Sequence, residues 1–192
     1  ISRKAQQHGG TVTASMGCDV RSSDTSRISA AVETCKAADT CVLFLGIDNS
    51  IEGEGNDRVD ITLPGQQDKL AAAVLAVGKP TVVVLMGGAA LAIGDIKGKS
   101  PAILNALYPA ERGGDAIADI LYGDVSPSAK LTFTMYDKDI IKRSLYDTSL
   151  RGKPGSGGIT YQYYNDTFGP PLWAFGHGES YTSWSHHCTG SG

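Results

Sequence analysis

Cys41-Val42-Leu43-Phe44-Leu45-Gly46 is an unbroken apolar run closed by a glycine. Five residues are too few for a helix that folds on its own hydrophobic stripe, and the run shows no apolar–polar alternation. Such a run predicts a strand covered on both faces, as in a parallel sheet. Upstream, Ile28, Ala31, Val32 and Cys35 fall at i, i+3, i+4 and i+7, which is one face of a helix. Downstream, Pro64-Gly65 opens a second helix with Leu70, Val74 and Val77 on one face, and Gly78-Lys79-Pro80 ends it. The cycle then repeats. Residues 81–86 predict a strand closed by Gly87-Gly88, and residues 102–107 a short strand. Residues 114–121 predict a helix with Ile117 and Leu121 inward, and residues 130–134 a later strand. Strand–helix alternation of this kind predicts an α/β fold. The expected form is a three-layer sandwich with a mostly parallel central sheet, helices on both faces and a wrapped C-terminal tail.

From about Asp137 the alternation stops. Residues 152–158 are glycine-rich and predict a mobile loop; residues 159–164 predict one more strand. The remainder carries too few periodic apolar residues for a second core. One domain over residues 11–184 is expected, with residues 1–10 and 185–192 as flanking tails.

The chain of 192 residues is 41% hydrophobic and 19% charged, with a formal net charge of −3. That balance offers no basic surface for nucleic acid or anionic lipid, so neither is an expected partner. No apolar stretch approaches the roughly 18 residues of a membrane span, so no membrane insertion is expected. Residues 1–10 lack the apolar centre of a signal peptide. The sequence is therefore expected to start within a longer protein, to be processed, or to be imported by another route.

None of Cys18, Cys35, Cys41 and Cys188 sits in a CxxC pair, and no metal site is expected. Cys35 and Cys41 flank a helix-to-strand turn and either bridge or remain two buried thiols. Asn165-Asp166-Thr167 is an N-glycosylation acceptor sequence; with an even cysteine count it tilts the reading towards a secretory setting. His186 and His187 beside Cys188 suggest a metal clip, outweighed by their place in a polar tail.

Open α/β sheets bind ligands beyond the carboxyl ends of their strands. The loop after Leu45 is long and polar, and carries Asp48, Glu52, Glu54, Asp57 and Arg58. Glycines on both sides of Glu54 let the backbone turn sharply and leave that carboxyl projecting. A carboxyl so placed suits general acid/base work once a closed site raises its pKa; a plain solvated loop is the competing reading. Gly53-Glu54-Gly55 is not a phosphate loop: the lysine and hydroxyl residue of that motif are missing, and the acids would repel phosphate.

Several ordered stretches carry a resemblance. Glu52-Gly53-Glu54-Gly55-Asn56-Asp57-Arg58-Val59-Asp60-Ile61-Thr62-Leu63-Pro64-Gly65 closely resembles the segment after the corresponding strand in family 3 glycoside hydrolases. The stretch from Pro80 to Gly88, that from Ala106 to Asp124, Ser126-Pro127-Ser128-Ala129-Lys130-Leu131, and the closing Leu172-Trp173-Ala174-Phe175-Gly176-His177-Gly178 continue it in order. The Gly46–Glu52 loop looks most like the β-xylosidase and α-arabinofuranosidase branch, with β-glucosidase open.

The resemblance implies the C-terminal sandwich of a retaining exo-glycosidase acting on an oligosaccharide or aryl glycoside. Its partner would be an N-terminal (β/α)8 barrel bearing a nucleophilic aspartate; no metal or organic cofactor is implied. Retention places two carboxyls about 5–5.5 Å apart, one attacking and one shuttling a proton. Counted back from Arg58, Glu54 matches the family's acid/base carboxyl and is the first choice; Glu52, shifted by two, is the alternate. Asp57 and Arg58 match a motif read as a loop anchor. Asp48 contacts sugar or, preferably, caps a turn. Nothing in the sequence resembles the barrel or its nucleophile, so this chain alone is expected to be inactive. The alternative is a non-catalytic glycan-binding or protein-assembly module. Ala110, Ala129, Thr132 and Glu179 depart from the family's common residues and bear on packing; His177 reads as structural.

Overall fold

A computed structural model describes residues 1–185 and 187. The apolar runs become β1 (Cys41–Gly46), β2 (Thr81–Met86) and β3 (Ala102–Leu107), all parallel in the order β1-β2-β3. The register sets Leu43 beside Val83 and Val83 beside Ile103. Val83 and Val84 point to opposite faces and are both 0% exposed, so the middle strand is covered on both sides. On β1 the cover is one-sided. Leu43 and Leu45 are buried, whereas Phe44 is 44% exposed.

Among the described residues six α-helices accompany the sheet: α1 (Ser2–Gln7), α2 (Ile28–Lys36), α3 (Gln67–Leu75), α4 (Gly94–Lys97), α5 (Gly113–Leu121) and α6 (Thr160–Tyr163). Cys35 of α2 and Leu70, Ala71 and Val74 of α3 join Leu43, Leu45, Val83 and Leu85 in one core. Burying those branched side chains supplies the main stabilisation, about 1.5–3 kcal/mol for each Leu or Val. On α5, Ile117 and Ala118 are buried and Leu121 is half-buried. No helix among the described residues is long and apolar enough to cross a membrane.

Cys35 and Cys41 form a disulfide, tying the last turn of α2 to the first residue of β1. Cys18 is a free, half-buried thiol. Residues 1–10, read as a tail, carry α1, which lies against α5. Lys4 pairs with Asp119 at 2.8 Å and with Asp124, Arg3 pairs with Asp115, and the His8 ring stacks on Tyr122. His186 and Cys188 fall outside the described residues.

Three local expectations are corrected. Residues 130–134 form no strand. Leu131 N–H donates to His177 O, and one antiparallel bridge, Met135 to Trp173, fastens the closing segment there. Residues 159–164 hold helix α6 instead of a strand, because Thr160 takes φ +68° and its N–H donates to the Tyr136 hydroxyl at 2.6 Å. The glycine-rich loop is pinned where mobility was expected. Asp147 accepts from Lys153 N–H at 3.1 Å, and Arg143 donates to Gly157 O at 3.3 Å.

Candidate active site

The carboxyl end of β1 needs its glycine. A Cβ at Gly46 would stand 1.8 Å from Met86 O, and its φ is +152°. No side chain fits where the two strand ends approach so closely. Buried Gln67, at the start of α3, then staples this end. Its amide oxygen accepts from Gly46 N–H at 2.7 Å and its amide nitrogen donates to Gly46 O at 2.8 Å. Gln67 carries no signal in the sequence, since a polar residue at a helix start ordinarily faces water. Only its distance from solvent in the folded chain marks it out.

From this fixed root the acidic loop is built in three steps. First, Asp48 turns the chain: its carboxylate accepts from Ser50 N–H at 2.9 Å and Ser50 Oγ at 2.6 Å. The Ser50 donors hold the Asp48 carboxyl below its ordinary pKa. Asp48 is thus engaged in the turn. Second, Gly53 and Asn56 exchange backbone hydrogen bonds at 3.1 and 3.0 Å, leaving Glu54 and Gly55 as a two-residue tip. Gly55 has φ +74° and Glu54 keeps a negative φ, the signature of a type II turn with glycine at its third position. Third, the hairpin is tied down. Asn56 Nδ2 donates to Ser50 O at 3.0 Å and Arg21 Nη1 to the same oxygen at 3.2 Å. Beyond the hairpin, Ala92 N–H donates to Ile61 O at 2.8 Å, where the chain rejoins the body.

The two candidate glutamates now separate. Arg58, with only 7% of its side chain exposed, pairs through Nε with Glu52 and donates from Nη2 to Ala90 O at 2.9 Å. Glu52 is therefore committed to a nearly buried guanidinium. Glu54 is exposed at the hairpin tip and makes no hydrogen bond or ion pair among the described residues. Asp57 is exposed beside it and takes no part in the Arg58 clamp. Among the described residues, no group of three or more His, Cys, Asp or Glu is placed to hold a metal ion.

Two surface concavities occur elsewhere, one lined by Asp68, Asp95 and Lys99 and one by Lys142, Arg143 and Phe168. In the first, burial and then the neighbouring Asp95 charge push the Asp68 carboxyl above its ordinary pKa. Neither concavity is lined by Glu54. What the chain presents around Glu54 is an open platform: a positioned carboxyl with water on its outer side.

Comparison with known proteins converges on one family. The profile described as the glycosyl hydrolase family 3 C-terminal domain matches residues 2–181. A probable β-D-xylosidase 7 of Arabidopsis thaliana is 38% identical over 88% of this chain and 22% of its own length. A probable exo-1,4-β-xylosidase of Aspergillus fumigatus is 36% identical over 97% of this chain and 24% of its own. Among solved structures, a family 3 exo-β-xylosidase in complex with a xylobiose aziridine probe superposes with a TM-score of 0.86 at 35% identity. The match covers 93% of this chain and 24% of that one. A β-glucosidase of Erythrobacter marinus superposes with a TM-score of 0.76 at 35% identity, over 94% and 27% of the two chains. The chain spans about a quarter of the length of these relatives.

Proposed function

The chain belongs to the glycosyl hydrolase family 3 C-terminal domain family, and from that premise we propose that it supplies Glu54 as the general acid/base carboxyl of a retaining, exo-acting β-glycosidase. The nucleophilic carboxylate stands on a (β/α)8 barrel in the remainder of a longer protein. The substrate is an oligosaccharide or aryl glycoside with a terminal β-xylosyl or β-glucosyl unit. β-Xylosidases and β-glucosidases among the relatives support that class. The Cys35–Cys41 disulfide and the exposed Asn165 acceptor support a secretory setting.

One observation carries the choice of residue: Arg58 holds Glu52, whereas among the described residues nothing holds Glu54 at the hairpin tip. An acid/base group must donate a proton to the departing oxygen and then take one from water. Glu52 is already engaged by the Arg58 guanidinium at the base of the hairpin. The Glu54 carboxyl at the tip is free to meet a glycosidic oxygen and then a water. In the first step the barrel carboxylate attacks the anomeric carbon while Glu54 protonates the leaving oxygen. In the second, Glu54 removes a proton from the water that releases the sugar.

The test compares Glu54→Ala and Glu52→Ala in the complete protein on aryl glycosides of graded leaving-group acidity. Glu54→Ala is expected to lose turnover of poor leaving groups and to retain much of it on activated ones, which need no proton. Glu52→Ala is expected to lower turnover without that dependence. The reverse pattern would make Glu52 the acid.

A further inference from the structure

Tyr161 and Phe175 lie 4.6 Å apart between ring centroids, tilted by 31°, and are 63% and 45% exposed. Two packed aromatic rings facing water are an expensive surface feature, and here the backbone is strained to hold one of them. Thr160 takes φ +68°, a left-handed conformation that a β-branched residue rarely adopts. Its N–H is held by the Tyr136 hydroxyl at 2.6 Å, and Tyr136 is itself braced edge-on against Tyr164 at 4.7 Å. This buttress starts α6 in the direction that sets Tyr161 on Phe175. Two residues on, Tyr163 carries the Arg151 guanidinium over its face at 4.5 Å.

The two segments bearing the platform, residues 160–165 and 170–178, contain no Asp, Glu, Lys or Arg. A ligand seated there meets flat aromatic faces, the exposed Gln162 amide and no formal charge on those segments. That combination favours a neutral ring with an apolar C–H face and a hydroxylated rim, the profile of a β-linked pyranose. We infer that Tyr161 and Phe175 form a stacking site for one sugar unit of a neutral β-linked oligosaccharide. From the proposed function this takes only the sugar class; it does not depend on the role of Glu54.

The test titrates the 192-residue chain with xylohexaose to about 10 mM, the range in which a millimolar Kd becomes visible, following backbone amide NMR shifts. Shifts centred on residues 160–163 and 174–176 are expected. Tyr161→Ala should weaken binding about tenfold, while Tyr161→Phe, which keeps the ring, should bind nearly as the parent does. Phe175→Ala is the second variant should Tyr161→Ala disturb α6. Shifts elsewhere, no shifts, or affinity indifferent to both alanine variants would overturn the site. So would concentration-dependent self-association that Tyr161→Ala abolishes without any sugar binding, which would make the platform a contact between copies. Glu54→Gln is expected to leave xylohexaose binding here unchanged. Leaving-group kinetics judge the acid assignment and the titration judges the stacking site, so either can fail alone.

Discussion

Two loops of this molecule are each framed by an arginine and a carboxylate, and they use the pair in opposite ways. Around residues 143–158 the frame is saturated. Arg143 donates to Asp147 O at 2.7 Å and Ser149 O at 2.6 Å, and its guanidinium meets the Asp147 carboxylate at 3.2 Å. Asp147 also accepts from Ser149 N–H, Ser149 Oγ and Lys153 N–H. These donors, the Ser149 hydroxyl foremost, hold its carboxyl far below the usual range. Asp147, the one acid in that frame, is spent on structure. Around residues 48–58 the frame is partial: Arg58 and Glu52 fix the base of a hairpin and leave Glu54 uncommitted at its tip. The first loop shows what this chain does with an acid whose task is to hold a shape. The second leaves Glu54 and Asp57 out of that task, and of the two only Glu54 stands at the hairpin tip.

The largest expected effect lies at the tip. Glu54→Ala in the complete protein should cost about a hundred- to ten-thousand-fold in turnover of poor leaving groups, with little change in thermal midpoint. Next comes Asp147→Asn, which should lower the thermal midpoint at pH 7 while leaving the leaving-group dependence as it was. Because the folded pKa of Asp147 is depressed, its stabilisation is full above the ordinary carboxylate pKa of about 4. It is lost as pH falls from there towards the folded value. The gap between parent and variant melting curves should therefore narrow progressively as pH falls below about 4, closing only near the folded value. A gap that did not narrow between pH 7 and the most acid point of the melt would mean that packing, and not charge, holds this frame.

Arg58→Met should cost about 1–3 kcal/mol in denaturant unfolding, since Ala90 O loses its donor while Glu52 can turn to water. It should also lower turnover, by up to about a hundredfold if the tip moves by an ångström. Loss of stability with intact turnover would show that the clamp supports the fold and not the acid. Smallest is Gly55→Ala, at about 1–2 kcal/mol. No neighbouring atom lies within 4 Å of the added methyl, so the left-handed φ is the whole penalty.

How far the sequence could be read follows the range of the forces involved. β1, β2 and β3 are legible because an apolar run between glycines or prolines carries its own signal. Leu131 and Phe133 carry a strand-like alternation too. Yet residues 130–134 only meet the closing segment, where Leu131 donates to His177 O and Gly176 to Leu131 O, and no ladder forms. Ile159, Thr160 and Tyr161 favour strands locally, and one hydroxyl, that of Tyr136, turns them into a helix start. β propensity yields where packing decides. The acidic loop could be located from its glycines and charges, and its flanking glycines put Glu54 ahead of Glu52, but the partner that separates them is not visible at that level. Arg58 reaches across to Ala90 and takes one of them, a choice that exists only after folding. Arg143 and Asp147 went unread for a related reason: their i, i+4 spacing falls outside a helix, where it carries no expectation.

The most direct measurement is azide rescue. Azide at millimolar concentration is added to Glu54→Ala and, separately, to Glu52→Ala in the complete protein, with an activated aryl β-xyloside or β-glucoside as substrate, and the products are identified by NMR. Azide needs no proton removed, so it can replace both the missing base and water in breaking the glycosyl–enzyme bond. With Glu54 as the acid/base carboxyl, azide should accelerate Glu54→Ala alone and yield a β-configured glycosyl azide. Rescue of Glu52→Ala instead, with Glu54→Ala unaffected, would contradict the account.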